Sequence, residues 1–190
     1  MEDYIGSIIV AADIDKLEEK IDSKEIIKGQ EEICQFTKDI LKVMAKSYMK
    51  RPSLSHSEIV YNTNMVFPCL QAIATMMKKS EYMPYFVPGE EELVAMTVQL
   101  KEMGYKEDKR KIYRADGVLR LAKFSDLEVL VLETAGAFGY NDKAKIAFDN
   151  SKGMFALLAM LKTVADTFKY ASADEFRKLK LYLVQPSGKQ

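Results

Sequence analysis

Apolar residues recur at helical spacing in the first quarter of the chain. Between residues 24 and 49 they follow one face of a helix, at Ile26, Ile27, Ile33, Phe36, Ile40, Leu41 and Met44. This pattern predicts one or two amphipathic helices, with Gly29 as a break and the charged residues on the solvated face. We therefore assign residues 1–50 to an N-terminal helical segment.

A second helical pattern follows the turn-rich stretch at residues 51–58. Ser55 lies three residues before Glu58, a spacing typical of a capping box at the start of a helix. The apolar positions beyond it again have helical spacing, and Pro68 is expected to interrupt or kink this helix because proline lacks a backbone N–H. Residues 80–90 contain two prolines and a glycine, which predict a loop.

The stretch from residue 91 to residue 103 carries a mixed signal. Every second residue is apolar, at Val94, Met96, Val98 and Leu100. Strict alternation is typical of a half-buried strand. The acidic run just before these residues favours a helix instead. We predict a strand after a short turn.

The last eighty residues of the chain predict a strand–strand–helix–strand unit. Strands are expected at residues 111–121 and 127–134, a long helix at 143–169 and a last strand at 179–185. The four consecutive apolar residues at 129–132 are typical of a central strand that is covered on both faces. The predicted fold class is α/β (α+β), a mixed central sheet flanked by helices, with residues 51–190 forming one domain.

Composition narrows the functional classes. The 190 residues include 28 basic and 28 acidic side chains, so the chain lacks the basic excess that nucleic-acid binding usually produces. The single histidine, His56, excludes a multi-histidine metal site within the chain and disfavours a serine–histidine or cysteine–histidine hydrolase. Cys34 and Cys69 lie far apart and outside any CxxC pattern, which predicts reduced thiols and argues against a zinc site.

Nothing in the sequence predicts a membrane span. The first twenty residues begin with acidic side chains and hold only a short apolar stretch, unlike a signal peptide. No apolar run approaches the roughly 20 residues that cross a bilayer. We expect an intracellular protein, cytoplasmic or nuclear, whose N-terminal helices offer a surface for forming a homodimer.

Two carboxylates stand out in the predicted strands. Asp116 lies within the second strand or at its edge, next to Gly117, and Glu133 ends the apolar strand that follows. A hairpin would bring the two acids side by side, where a divalent cation relieves their repulsion. Mg²⁺ (or Mn²⁺) needs only one or two carboxylates together with water and phosphate oxygens. Alternatively, each acid only marks a turn or the end of a strand.

The order of these features resembles the restriction-endonuclease-like, or PD-(D/E)XK, superfamily: a helix, a strand with an aspartate, a strand with a glutamate, a long helix and a strand. The stretch RADGVLRL…LEVLVLETAGAFG…DKAKIAFDNSKGMFALLAMLKTVAD…LKLYLV is also similar to a group of fungal proteins that carry such domains. The resemblance covers about residues 55–186. It implies a metal-dependent nuclease that hydrolyses phosphodiesters of DNA or RNA, or a non-catalytic nucleic-acid-binding or protein-interaction module on the same fold.

The resemblance also implies roles for individual residues. Asp116 and Glu133 would hold the Mg²⁺ or Mn²⁺ ion, and Glu58 would be the acid supplied by the first helix. The motif lysine is missing, because Ala135 stands two residues after Glu133. Some members of the superfamily supply this lysine from the following helix, where Lys152 is the candidate and two further lysines are weaker ones, Lys143 and Lys145.

A basic cluster leads into the strand that carries Asp116. Its members are Lys106, Lys109, Arg110, Lys111 and Arg114. If their side chains face the site, they would bind the phosphate backbone of a nucleic-acid substrate. The alternative is a charged edge strand, on which lysines discourage aggregation.

Overall fold

One four-stranded sheet organises the part of the chain that the structure describes. The structure is a computed structural model and describes residues 14–23, 28–49, 53–77, 81–105 and 112–186. The strands are β1 Pro84–Glu92, β2 Arg114–Leu121, β3 Leu127–Leu132 and β4 Tyr182–Val184, and they lie side by side in this order. The pairs β1–β2 and β2–β3 are antiparallel, whereas β3–β4 is parallel. The mixed sheet that the sequence predicts is therefore present.

Seven α-helices lie within the described residues. They are α1 Ile14–Ser23, α2 Glu31–Met49, α3 Glu58–Tyr61, α4 Phe67–Met76, α5 Val94–Glu102, α6 Lys143–Thr167 and α7 Ala173–Lys178. Helix α2 lies within residues 24–49, where the apolar pattern predicts one or two helices, whereas α1 precedes that range. Gly29 lies just ahead of α2 with a φ of 83°, which favours glycine. None of these helices combines the length and the apolar character that a bilayer span requires.

The polypeptide between α3 and α4 is more irregular than the sequence predicts. A π-helical turn, Asn62–Val66, joins the two helices, and Pro68 lies in the first turn of α4. Proline has no N–H to donate to the backbone oxygen of Asn64, four residues earlier. That oxygen accepts the hydroxyl of Ser47 at 2.5 Å instead. The missing donor of Pro68 thus leaves an oxygen free to fasten α2 to this segment.

The start of α3 differs from the predicted capping box. Ser57, not Ser55, is the N-cap residue, and its Oγ accepts the N–H of Val60 at 3.3 Å. The prediction of Ser55 as the cap is wrong because α3 begins one residue after Ser57, at Glu58. Glu58 is therefore the first residue of the helix.

Two predictions in the middle of the chain are also wrong. Residues 84–92 form β1 where a loop is predicted, and residues 94–102 form α5 where a strand is predicted. Strand β1 tolerates its two prolines because it is an edge strand, and its pairing shifts between Pro88 and Glu91, where Gly89 has a φ of 99°. In α5, Ala95 and Gln99 are buried and lie one helical turn apart, whereas Val94 and Val98 are exposed.

The sheet is covered on both faces. Leu119 and Leu132 pack with α4 in one apolar cluster, whereas their neighbours Val118 and Val131 pack with α6 in another. Consecutive residues of β2 and β3 therefore enter opposite cores, as expected for central strands. The parallel strand β4 follows α6, so this helix connects the two neighbouring strands across one face of the sheet.

Candidate active site

Asp116 and Glu133 lie on neighbouring positions of β2 and the end of β3. Gly117 pairs with Leu132, and the backbone N–H of Thr134 donates to Oδ2 of Asp116 at 2.6 Å. The N–H of Glu133 donates to the backbone oxygen of Val184 in β4 at 3.0 Å. Hydrogen bonds thus fix the backbone N–H groups of Glu133 and of the residue after it. The two acids lie on adjacent strands, as the sequence predicts.

Asp116 does not mark a turn. It lies inside β2, and Gly117 beside it is buried in the strand. A methyl group at Gly117 would lie 2.6 Å from the Cζ atom of Phe86, so the glycine is needed for the close approach of this aromatic ring. The carboxylate of Asp116 is therefore presented by a well-packed strand.

Lys152 reaches Glu133 from α6. Its Nζ donates to Oε2 of Glu133 at 2.8 Å and to the backbone oxygen of Arg114 at 2.9 Å. It also lies 4.6 Å from the centroid of the Tyr113 ring. The ammonium group of Lys152 therefore lies beside the Glu133 carboxylate. The residue two positions after Glu133, where the resemblance would place a lysine, is the buried Ala135.

The position of Lys152 depends on a glycine in α6. A methyl group at Gly153 would lie 2.6 Å from the Cδ1 atom of Leu183 in β4. Without a side chain at Gly153, α6 approaches β4 closely, which places Lys152 within reach of the residue after β3. A glycine inside a long helix was the one sign of this contact in the sequence.

Tyr113 is a residue of this site that sequence reasoning missed. Its hydroxyl donates to Oε1 of Glu133 at 2.5 Å, so each carboxylate oxygen of Glu133 accepts one hydrogen bond from Tyr113 or Lys152. Burial and the bond to Glu133 both raise the pKa of Tyr113, which keeps the hydroxyl protonated as a donor. Its position, three residues before Asp116, gave no signal of this role.

Glu133 is a buried acid whose charge is only partly compensated. Only 2% of its surface is exposed, and this burial raises its pKa above the usual value of 4.5. The hydrogen bonds from Lys152 and Tyr113 oppose the increase, while the negative charge of Asp116 adds to it. Buried acids whose pKa is perturbed by specific partners are typical of catalytic sites.

Glu58 is paired with a lysine of α6. Its Oε2 accepts the Nζ of Lys145 at 3.0 Å. One turn further along, the Oδ1 of Asn62 accepts the hydroxyl of Thr134 at 2.9 Å, which fastens this helical segment to the loop after β3. Lys145, one of the two weaker candidates for the motif lysine, therefore pairs with Glu58. The lysine that contacts Glu133 is Lys152.

Asp149 is a second residue that the sequence did not indicate. It lies on α6 between Lys145 and Lys152, and only 8% of its surface is exposed. Burial raises its pKa, the charges of the two lysines oppose this, and the charge of Asp116 adds to it. One sign of this position was present in the sequence: Asp149 lies four residues after Lys145 and three before Lys152, so all three share one side of a helix.

The predicted substrate-binding residues are only partly described. Lys109, Arg110 and Lys111, together with Lys106, lie outside the described residues. Arg114 is exposed, and its Nη1 donates to the backbone oxygen of Glu90 at 2.9 Å, so its side chain lies along the edge of β1. Arg114 contributes to the site through its backbone oxygen, which accepts a hydrogen bond from Lys152 Nζ.

Asp116 and Glu133 are the acids of the site that could bind a cation. In the described ranges, no group of three or more Asp, Glu, His or Cys residues is arranged to hold a metal ion directly. Mg²⁺ usually takes only one or two carboxylates and keeps several waters. The neighbouring carboxylates of Asp116 and Glu133 would supply the one or two protein ligands that Mg²⁺ or Mn²⁺ takes.

Replacing Tyr113 by phenylalanine is expected to raise the pKa of Glu133. The substitution removes a hydrogen bond that favours the ionised carboxylate and leaves the aromatic ring in place. A carboxyl-carbon NMR titration of Glu133 measures the change. Tyr85→Phe is the matched control, since the Tyr85 hydroxyl donates to the exposed Asp126 at 2.8 Å. An unchanged titration of Glu133 in Tyr113→Phe would show that the hydroxyl does not influence the acid.

The site thus contains two neighbouring acids, a lysine and a tyrosine bonded to one of them, and a further buried acid. These groups come from β2 and the residue before it, from the segment after β3 and from α6. Comparison of the chain with family models, with curated proteins and with solved structures finds no match.

Proposed function

We propose that the protein is a metal-dependent nuclease that hydrolyses phosphodiester bonds of DNA or RNA at Asp116, Glu133 and Lys152. The observation that carries this proposal is the contact between Lys152 Nζ and Glu133 Oε2, at 2.8 Å. Because of it, α6 supplies the ammonium group that the missing motif lysine would provide. The side chain at the motif position, Ala135, is buried, with 4% of its surface exposed.

The order of the elements supports a restriction-endonuclease-like core. The helical segment that begins with Glu58 precedes the sheet, and the antiparallel strands β2 and β3 carry or precede the two acids. The long helix α6 and the parallel strand β4 follow. This is the sequence of helix, acidic strands, helix and strand on which the resemblance rests. Fold alone does not determine function, so the site carries the proposal.

Each residue has a defined part in the proposed reaction. Asp116 and Glu133 would hold the cation, which when bound would supply a water of lowered pKa and would neutralise charge on the phosphate. Lys152 donates hydrogen bonds to the phosphate oxygens as negative charge develops on them. Glu58 keeps Lys145 at the edge of the site, where this second ammonium attracts the phosphate backbone. Water would attack phosphorus in line with the leaving oxygen, so that the new P–O bond forms as the bond to the leaving oxygen breaks. The attacking water would give up a proton to solvent, and the leaving oxygen would take one up from solvent.

Cleavage assays test the proposal. Supercoiled plasmid, single-stranded DNA and RNA are incubated with the protein and Mg²⁺ or Mn²⁺, and with an Asp116→Ala, Glu133→Ala double variant. We expect cleavage by the wild type and a loss on the order of 1,000-fold or more in the variant, because both cation ligands are removed. An Asp166→Ala, Glu175→Ala variant, which removes two exposed acids elsewhere, is the matched control. Equal cleavage by all three proteins would identify a contaminating nuclease.

A non-catalytic nucleic-acid-binding or protein-interaction module on the same fold is the second candidate function. Two observations favour it: the motif position holds Ala135, and the formal net charge of the chain is zero. Absence of cleavage by folded wild-type protein would support this candidate. Binding of fluorescent oligonucleotides in EDTA would then separate nucleic-acid binding from protein interaction.

A further inference from the structure

Asp149 is a buried acid to which the proposed reaction gives no part. Its residue surface is 8% exposed, and its Oδ2 atom has no hydrogen-bond partner among the residues that the structure describes. A buried polar atom without a partner destabilises the folded protein, and the more so when it carries a charge. Such atoms are rare, and a catalytic role or a bound ion or water is a common reason for them.

Asp149 lies near charged residues of the site. Its charge interacts with those of Lys145, Lys152 and Asp116, and it also acts on the hydroxyl of Tyr113. It lies one turn of α6 from Lys152, which is bonded to Glu133. Asp149 therefore lies on the same side of α6 as the lysine that contacts Glu133.

We propose that Asp149 is a third acid of the cation site, and that it accepts hydrogen bonds from the water molecules around a Mg²⁺ or Mn²⁺ ion held by Asp116 and Glu133. This inference rests on the proposed function. Contact through water agrees with two observations. The described acids form no group of three that could ligate a metal directly, and Asp149 has a buried oxygen available as an acceptor. Mg²⁺ keeps several waters when it binds to proteins.

A purely structural role for Asp149 makes the opposite predictions. If Asp149 only filled space in α6, Asp149→Asn would leave the affinity for a cation unchanged, because asparagine has the same shape. If Asp149 accepts hydrogen bonds from the waters around the cation, Asp149→Asn removes one negative charge and one acceptor beside the hydration shell. Loss of such an outer partner typically lowers metal affinity by about 10–100-fold.

Binding of Mn²⁺ alone, measured by the loss of the free-ion signal in electron paramagnetic resonance, tests the inference. We expect Asp149→Asn to bind Mn²⁺ about 10–100-fold more weakly than the wild type. Asp166→Asn is the matched control, since it makes the same change on an exposed residue of α6, and its affinity should be that of the wild type. Thermal unfolding in EDTA checks the fold, and Asp149→Asn should unfold at or above the wild-type temperature because an unpaired buried acid is gone.

The outcomes separate this inference from the proposed function. Wild-type affinity in Asp149→Asn would overturn the role of Asp149 and leave the nuclease proposal standing. Absence of Mn²⁺ binding by the folded wild type would overturn both. If Asp149→Asn does not fold, Asp149→Ser provides the same test, and wild-type affinity in that variant would also overturn the inference.

Discussion

Lys152→Met is expected to reduce cleavage by about 100–1,000-fold while the protein stays folded. Methionine keeps most of the length and apolar volume of the lysine side chain but removes the ammonium group. That group lies 2.8 Å from Glu133 and is the candidate for stabilising charge on the phosphate. The same substitution should raise the pKa of Glu133, because the hydrogen bond and the charge of Lys152 both favour the ionised acid. Steady-state cleavage of a labelled substrate and an NMR titration of Glu133 measure the two effects.

Two other lysines of α6 are matched controls for this experiment. Lys143→Met changes an exposed residue in the first turn of α6 and should leave both measurements unchanged. Lys145→Met removes the partner of Glu58 and should have a smaller effect on cleavage than Lys152→Met, with no direct effect on Glu133. Full cleavage by Lys152→Met together with loss in Lys145→Met would show that the wrong lysine had been assigned.

Glu128→Ala is expected to lower the free energy of unfolding by about 3–5 kcal/mol. Glu128 is 5% exposed, and its Oε1 lies 3.1 Å from Nη2 of Arg120, a largely buried side chain. Its oxygens also accept the backbone N–H groups of Val94 and Ala95 at 2.9 and 2.8 Å. The substitution therefore leaves a buried guanidinium with one partner fewer and removes the acceptors at the start of α5.

Urea denaturation of matched variants tests the role of Glu128. Glu128→Gln keeps the shape and one carbonyl acceptor, so its loss of stability should be smaller than that of alanine. Glu91→Ala removes the other acid bonded to Arg120, at 2.7 Å, but Glu91 is partly exposed. Its effect should be smaller as well, at about 1 kcal/mol or less. Equal stability of Glu128→Ala and Glu91→Ala would contradict the importance of the bonds to α5.

The position of the two central acids could be predicted from the sequence because it depends on local features. The apolar run at residues 129–132 predicts a buried strand, and only a short turn separates it from the strand that carries Asp116. Two antiparallel strands joined in this way bring Asp116 beside the segment that follows β3. The mixed sheet and the long helix α6 follow from the same apolar pattern.

The sequence narrowed the choice of lysine but did not make it. Under the proposed function Ala135 stands where the motif has lysine, so the ammonium has to come from elsewhere, and the following helix contains Lys143, Lys145 and Lys152. The close packing of Gly153 against Leu183 brings Lys152, and not the other two, to Glu133. Tyr113 and Asp149 were missed because their roles depend on burial and on partners distant in the chain.

The amino-acid sequence by itself determined the central strands, the long helix and the pairing of Asp116 with Glu133, because periodicity and short connections encode these features locally. Only the tertiary structure decided that residues 84–92 form an edge strand and residues 94–102 a helix. Strand β1 depends on backbone partners in β2, and α5 depends on the carboxylate of Glu128, more than thirty residues further along the chain. Such partners override a short ambiguous pattern, since a buried backbone N–H needs an acceptor whatever its neighbours in sequence favour.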